Sequence, residues 1–153
     1  MKILVLGSGL MGPASAYNAM VDPDVTQVTL CDLDQQQLDA AYAKLSGMEG
    51  GGKLTTVALD LRDEPAATQL MAGYDVVVAA LPKEAIPLGI RAAVATQTPV
   101  VDLSWPLPEQ VEGVREFVEA EGGFVIPGCG VEPGLTEIMA RYLAEKLDRI
   151  DEL

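Results

Sequence analysis

The chain has 153 residues, of which 49% are hydrophobic, so it is long enough and apolar enough to fold as one domain with a substantial core. Its 23 acidic residues outnumber its 10 basic residues and give a net charge of −13, which argues against nucleic acid and anionic membranes as partners. It contains no histidine, and its two cysteines, Cys31 and Cys129, lack metal-ligand spacing, so we expect no metal site and reduced thiols in a cytoplasmic protein.

The amino-terminal stretch reads as strand, glycine turn, helix, strand and acid. A short apolar run, Lys2–Leu6, is followed by G-x-G-x-x-G, and Asp32 stands 20 positions after the last of these glycines. This arrangement predicts a dinucleotide site, in which backbone amides at the start of the helix bind the pyrophosphate. The residues expected to line the pyrophosphate are Gly7, Ser8, Gly9, Leu10, Met11 and Gly12.

The acid at the end of the second apolar run sets the expected cofactor preference. Asp32, with Leu33 beside it, is expected to bind the adenosine ribose, whereas Asp34 is interpreted as a helix N-cap. No lysine or arginine lies between residues 4 and 35, so a 2′-phosphate would face like charge with no neighbouring cation in the sequence. The sequence therefore favours NAD(H) over NADP(H).

Strand and helix patterns alternate along the whole chain. They predict strands at 2–6, 27–32, 53–59, 75–80, 99–103 and 124–126, and helices ending near residue 20 and at 34–46, 64–71, 84–96, 108–120 and 135–147. This alternation predicts a doubly wound parallel α/β sheet, the Rossmann fold, with strand order 3-2-1-4-5-6. The glycine-rich segment 47–52 precedes a strand and is interpreted as a flexible turn, not a phosphate cradle.

Further candidate residues follow the third to sixth strands, since doubly wound folds bind ligands at the carboxyl ends of strands. After the third strand, Asp60 and Leu61 are expected beside the adenine, although an exposed loop acid is an equal interpretation of Asp60. After the fourth strand, Ala80, Leu81 and Pro82 are expected along the middle of the cofactor. The turn at 127–134, PGCGVEPG, is either part of the site or a hinge before the last helix, and the residues leave both open.

Three motifs, GSGLMG, VDLSW and IPGCGVEPGLTEIMA, resemble the cofactor domain of the saccharopine dehydrogenase family, especially its lysine 6-dehydrogenase-like branch. The resemblance implies NAD(P)-dependent oxidation of an amino acid or secondary amine at a C–N bond, with the cofactor carrying the hydride. It implies that Asp102, Ser104 and Trp105 approach the nicotinamide and substrate, and that Cys129 and Gly130 face the nicotinamide. Cys129 is interpreted as a small residue in a tight turn, and no catalytic acid or base is assigned.

Members of this family carry a second α/β domain after the cofactor domain. We therefore expect a cofactor domain at 1–147 and the start of a missing substrate domain at 148–153, so that this truncated form binds NAD(H) but turns over little amino acid or amine. The apolar face of the last helix, or the sheet edge beside the sixth strand, would then be uncovered, which predicts a homodimer or limited solubility. The sequence shows neither a signal peptide nor an apolar run of 18 residues, so we expect no membrane span.

A second function from another class fits the same glycine turn. NAD-sensing regulatory domains attached to ion channels and transporters have about this length and bind the dinucleotide without catalysis. They do not need the D-L-S-W stretch or the G-C-G-x-x-P-G turn, which is why the oxidoreductase interpretation is preferred.

Overall fold

The computed structural model describes residues 1–150, in which six parallel strands form one sheet with helices on both faces. The strands are β1 (Lys2–Leu6), β2 (Gln27–Asp32), β3 (Leu54–Ala58), β4 (Val76–Ala79), β5 (Val100–Asp102) and β6 (Val125–Ile126). Their order in the sheet is β3-β2-β1-β4-β5-β6, which confirms the predicted doubly wound topology. From β1 to β3 each strand is added on one side of the sheet, and from β4 to β6 each is added on the other side. The boundary between β1 and β4 is therefore the topological switch point, where such folds bind ligands.

Within residues 1–150, six α-helices connect and follow the strands. They are α1 (Met11–Val21), α2 (Gln35–Leu45), α3 (Glu64–Met71), α4 (Ile86–Val94), α5 (Pro108–Glu121) and α6 (Leu135–Ala144). The predicted helix at 84–96 starts instead with a separate 3-10 turn, Lys83–Ala85. The last helix ends before the predicted residue 147, because the amides of Lys146 and Leu147 bond to carbonyls only three residues back.

Two hydrophobic cores lie on opposite faces of the sheet. The alternation of side chains along β1 sends Leu4 and Leu6 to the face covered by α3, α4 and α5, and Ile3 and Val5 to the face covered by α1 and α2. Both faces are apolar because both are covered by helices, which is the usual condition of a parallel sheet. Burial of a large aliphatic side chain contributes roughly 1.5–3 kcal/mol, so these two layers hold the strand ends in place.

The start of α2 has a side-chain cap. The Asp34 carboxylate accepts hydrogen bonds from the backbone N–H groups of Gln36 and Gln37, at 2.8 and 3.3 Å. These bonds lower the pKa of Asp34. The interpretation of Asp34 as an N-cap is confirmed, because its carboxylate binds two unpaired N–H groups at the start of α2.

The glycine-rich segment before β3 contains the predicted turn, and the end of this segment is packed. Gly51–Lys53 form a 3-10 helix, and Gly51 is buried. A side chain at Gly51 would overlap the carbonyl group of Ser46, so glycine permits close backbone packing here. The segment lies at the amino end of β3, so it is no phosphate cradle at the carboxyl edge.

The last helix contrasts with the other five, because α6 contains no buried residue. Its apolar side chains point to solvent, with Ile138 exposed by 68% and Tyr142 by 59%. Across residues 1–150, the helices are too short or too polar to cross a membrane. The end of the segment at 148–153, where a second domain was predicted to begin, lies outside the described residues from 151 onward.

Candidate functional site

A cleft of about 780 Å³ opens at the carboxyl edge of the sheet, at the switch point between β1 and β4. It is bounded by the turns that follow the first four strands. Its lining residues are Leu6, Gly7, Gly9, Leu10, Met11, Cys31, Asp32, Leu33, Gln37, Asp60, Leu61, Arg62, Ala80, Leu81, Pro82, Glu84, Ala85 and Leu88. Apolar side chains dominate this wall, and a few polar groups converge on it, as in most small-molecule sites.

Two glycines of the first turn bring α1 against the end of β1. Gly7 has a φ of 94°, a conformation that L-residues with side chains rarely adopt. A Cβ atom at Gly12 would overlap the carbonyl oxygen of Gly7, and one at Gly7 would overlap that of Ala80. Both positions are buried, so their role is to close the packing beneath the cleft.

The middle glycine has a different environment. A Cβ atom at Gly9 would meet no protein atom within 4 Å, because Gly9 borders the cleft. The N-cap residue of α1, Leu10, makes no side-chain capping hydrogen bond, and the first turn of α1 carries no acidic residue. The α1 amides therefore face the cleft with the partial positive charge of a helix N-terminus, which suits an anion.

Asp32 connects the first turn to the second. One carboxylate oxygen accepts a hydrogen bond from the Ser8 N–H at 2.5 Å, and the other accepts one from the Asp34 N–H at 2.9 Å. Each oxygen keeps further lone pairs for a ligand hydroxyl. Asp32 thus holds two turns of the cleft together and still borders it.

Cys31 also borders the cleft, and this residue is buried. Burial, followed by the nearby Asp32 carboxylate, raises the pKa of Cys31 to about 12. The thiol therefore remains protonated at neutral pH and does not act as a nucleophile. In the described part of the chain, no cluster of three or more histidine, cysteine or acidic residues could hold a metal ion.

The predicted site residues divide into three groups. The structure brings Gly7, Gly9, Leu10, Met11, Asp32, Leu33, Asp60, Leu61, Ala80, Leu81 and Pro82 into the cleft wall. Ser8 and Gly12 are buried in the turn behind it. The remaining predicted residues, Asp102, Ser104, Trp105, Cys129 and Gly130, lie outside the cleft wall.

The residues outside the cleft wall lie beside one another. The Cys129 N–H donates to the Asp102 carbonyl at 2.8 Å, and the Gly128 N–H donates to the Ser104 carbonyl at 2.7 Å. These bonds join the turn after β6 to the turn after β5. Both turns lie at the carboxyl edge of the sheet, as predicted. The hydrogen bonds show that the turn at 127–134 is fastened to the turn after β5.

Asp102 is the most unusual of these residues, because its side chain is fully buried. One carboxylate oxygen accepts the Ser104 N–H at 3.1 Å, and the other has no hydrogen-bond partner. Burial raises the pKa of this carboxyl group above its ordinary value of 3.8, and the Ser104 hydrogen bond only partly opposes that rise.

The sequence prediction missed Arg62. This residue follows β3 and lines the same end of the cleft as Asp32. The lining residues all belong to the described part of the chain. Among them Arg62 is the only basic residue, and Asp32, Asp60 and Glu84 are acidic. The sequence did contain a signal for this cation. Arg62 stands two positions after Asp60, and the predicted strand order already paired the third strand with the strand that ends at Asp32.

Comparison with known proteins gives one matching family. A model described as the saccharopine dehydrogenase NADP binding domain matches residues 3–122. Saccharopine dehydrogenase [NADP(+), L-glutamate-forming] of Saccharomyces cerevisiae is 28% identical over 149 residues, covering 97% of this chain and 31% of the relative. Mitochondrial alpha-aminoadipic semialdehyde synthase of Bos taurus is 27% identical over 151 residues, covering 97% of this chain and 15% of the relative. The chain thus spans a third or less of these relatives.

Solved structures share the fold. Apo saccharopine dehydrogenase (L-Glu forming) from Saccharomyces cerevisiae matches with a TM-score of 0.77 and 23% identity, over 95% of this chain and 31% of that one. Scyllo-inositol dehydrogenase from Lactobacillus casei, solved with NAD(H) and scyllo-inositol, matches with a TM-score of 0.70 and 18% identity, over 95% and 41% of the two chains. At these identities the likeness establishes the fold alone.

The expected preference for NAD(H) over NADP(H) is wrong. The matching family is an NADP-binding domain, and the yeast relative carries NADP(+) in its name. The expectation considered only cations close to Asp32 in the sequence, and none lies there. In the folded chain Arg62 enters the same cleft from β3 and supplies the missing positive charge.

Substitution of the first-turn glycines is expected to separate binding from packing. Gly9→Ala should fold like the wild type but weaken dinucleotide binding about tenfold, because its methyl group enters the cleft. Gly12→Ala should lower the free energy of unfolding by more than about 2 kcal/mol, because the methyl group overlaps the Gly7 carbonyl. Thermal unfolding and calorimetric titration measure the two effects. Gly113→Ala, at an open position on α5, is the control and should leave binding unchanged.

Removal of the buried carboxyl group should change the pH dependence of stability. Since the pKa of Asp102 is higher in the folded chain than in the unfolded one, ionisation costs stability as the pH rises above 3.8. The stability of Asp102→Asn relative to the wild type should therefore increase with pH, by about 1.4 kcal/mol per unit of pKa shift. Urea unfolding between pH 3.5 and 7.5 measures this difference.

The capping carboxylate provides a control of opposite sign. The pKa of Asp34 is lowered in the folded chain, so its stabilisation is present above the unfolded pKa and is lost as the pH falls. Asp34→Asn should therefore lose relative stability as the pH rises. A flat or falling profile for Asp102→Asn would contradict the proposed burial of an unpaired carboxyl group.

Proposed function

Because the chain belongs to the saccharopine dehydrogenase NADP-binding domain family, we propose that its cleft holds NADP(H) for an oxidoreductase. The observation that carries this proposal is the meeting of three features in one cleft. These are an uncapped α1 N-terminus, open space at Gly9 and the cation Arg62. The residues present therefore fit a dinucleotide that carries a pyrophosphate and a 2′-phosphate.

The cleft offers a different environment to each part of the cofactor. The Gly9 backbone and the first α1 amides would bind the pyrophosphate, and Asp32 and Leu33 would contact the adenosine ribose. Asp60 and Leu61 would border the adenine. Ala80, Leu81 and Pro82 would follow the middle of the dinucleotide towards the nicotinamide. Contacts of Asp102, Ser104, Trp105, Cys129 and Gly130 with the nicotinamide or substrate remain proposals from the resemblance.

The reaction proposed for the whole protein is oxidation or reduction at the C–N bond of an amino acid or secondary amine. When bound, the dinucleotide supplies or accepts a hydride. This chain contributes binding and orientation, and the apolar cleft wall excludes water from the cofactor. The chain spans 31% of the yeast relative, which supports the proposal that it has little turnover by itself.

Calorimetric titration of the 153-residue chain with NADPH and NADH tests this function. NADPH should bind, and NADH should bind about tenfold more weakly, because it has no 2′-phosphate to pair with a cation. Bound NADPH should also raise the unfolding temperature. Equal affinity for the two cofactors, or binding of neither, would contradict the proposal. Incubation with NADP⁺ and amino acids should produce little NADPH.

The apolar face of α6 supports the proposal that this chain forms a homodimer. Five exposed side chains form this face: Leu135, Ile138, Met139, Tyr142 and Leu143. They offer on the order of 500 Å² per chain, more than half of the ~800 Å² that each partner buries in a standard interface. A second copy presents the same helix and would cover this face about a twofold axis.

Sedimentation velocity over a range of concentrations tests the homodimer. The wild type should dimerise, and Ile138→Glu should remain a monomer because it places a charge in the apolar face. Tyr42→Glu, at an exposed aromatic residue on α2, is the control and should dimerise as the wild type does. A wild type that stays monomeric at high concentration would exclude the α6 interface.

A further inference from the structure

The loop after β3 places a cation in the same cleft as Asp32. Asp32 pairs with Ala58 in the β2–β3 register, and the Leu59 N–H donates to the Asp32 carbonyl at 2.9 Å. The loop therefore starts next to the residue expected to contact the adenosine ribose. Arg62 lies in this loop and lines the cleft. Its guanidinium is thus at the adenosine end of the proposed cofactor site.

In this structure the guanidinium is paired with a carboxylate of its own loop. Arg62 Nε lies 2.9 and 3.0 Å from the two Asp60 carboxylate oxygens, and its terminal nitrogen lies 2.5 Å from one of them. The pairing lowers the pKa of Asp60 and raises that of Arg62. The Asp60 carboxylate thus occupies the edge of the guanidinium to which another bidentate anion would bind.

The pair is exposed enough to exchange partners. The Arg62 side chain is 71% exposed and that of Asp60 is 34% exposed, so solvent screens the pair and limits its strength. A phosphate monoester carries up to two negative charges, whereas the carboxylate carries one. Guanidinium forms bidentate bonds with both groups, so a phosphate can replace the carboxylate with the same geometry.

The other charges of the cleft leave no substitute for Arg62. Asp32 and Glu84 line the same cleft and repel a phosphate. The partial positive charge at the α1 N-terminus is expected to bind the pyrophosphate. Both cofactors carry a pyrophosphate, so this interaction does not distinguish them. Selection between the two cofactors therefore falls to the one lining cation.

Resting on the proposed function, we infer that Arg62 selects NADP(H) by releasing Asp60 and pairing with the 2′-phosphate of the adenosine ribose. Asp60 is an internal competitor for the same guanidinium. It lowers the affinity for NADP(H) without contacting the phosphate, and it has no such effect on NAD(H). The selectivity of the cleft is thus set by the exchange of one anion for another at Arg62.

Calorimetric titration of single variants with NADPH and NADH tests this exchange. Arg62→Gln should weaken NADPH binding about 10- to 100-fold and leave NADH binding within about twofold of the wild type. Asp60→Asn should strengthen NADPH binding about 3- to 10-fold, because the guanidinium is freed. The asparagine oxygen can still accept the Arg62 backbone N–H, which the Asp60 oxygen accepts at 3.0 Å, so the loop is retained.

The double variant isolates the competition. In an Arg62→Gln background, Asp60→Asn should no longer strengthen NADPH binding, because no guanidinium remains to be freed. Arg141→Gln is the matched control, since Arg141 is an exposed arginine on α6 that is ion-paired with Glu145 outside the cleft. It has the same change of charge and should leave both affinities unchanged. Unfolding temperatures of all variants check that each one folds.

The possible outcomes are distinguishable. If the wild type binds neither cofactor, the proposed function fails. If Arg62→Gln binds NADPH and NADH with the wild-type ratio, or weakens both equally, the assignment of Arg62 is overturned and the proposed function stands. If Asp60→Asn strengthens NADPH binding equally with and without Arg62, the competition is overturned.

Discussion

The close approach of α1 to the end of β1 is the constraint on which the cleft depends. Gly12 lies against the Gly7 carbonyl, and no side chain fits between them. This contact aims the uncapped first turn of α1 across the carboxyl edge of the sheet. The two hydrophobic cores then hold the strands whose ends form the rest of the cleft wall. Packing therefore determines where the backbone amides face before any ligand is considered.

The charges around the cleft are mostly negative. The chain carries a net charge of −13, and acidic residues also predominate around the cleft. Among the described residues that line the cleft, the groups that would attract an anion are local, namely the helix amides and the guanidinium of Arg62. The Asp32 carboxylate accepts two backbone N–H groups, which partly balances its charge and ties the first two turns together. The cleft of this strongly acidic domain thus contains a small number of oriented donors that suit an anion.

The carboxyl-terminal third of the sheet is less enclosed than the rest. β5 and β6 are short, α6 has no buried residue, and Ile126 at the end of β6 is 43% exposed. The turns after β5 and β6 are nevertheless joined to each other by backbone hydrogen bonds, and the turn after β6 also bonds to the first residues of α6. The relatives are at least three times longer than the matched region, and this is the part of the fold where their additional length would find apolar surface to cover.

Much of the architecture followed from local sequence patterns. Strand and helix periodicities determined the order of the elements, and the glycine spacing determined the strand-turn-helix that frames the cleft. Asp34 capped its helix as its position predicted, because capping involves only residues two and three positions away. Local sequence could not show that Asp102 is fully buried with an unpaired oxygen, since that depends on helices packed from elsewhere in the chain.

The sequence by itself determined the fold, the glycine turn after β1 and the acid at the end of β2, because each rests on residues close together along the chain. Only the tertiary structure decided which charges share the cleft. Arg62 is far from Asp32 in the sequence but lines the same cleft, since β3 pairs with β2 and their carboxyl ends meet at one edge. Coulomb interactions depend on distance in space, so a cofactor preference inferred from neighbouring residues alone was wrong.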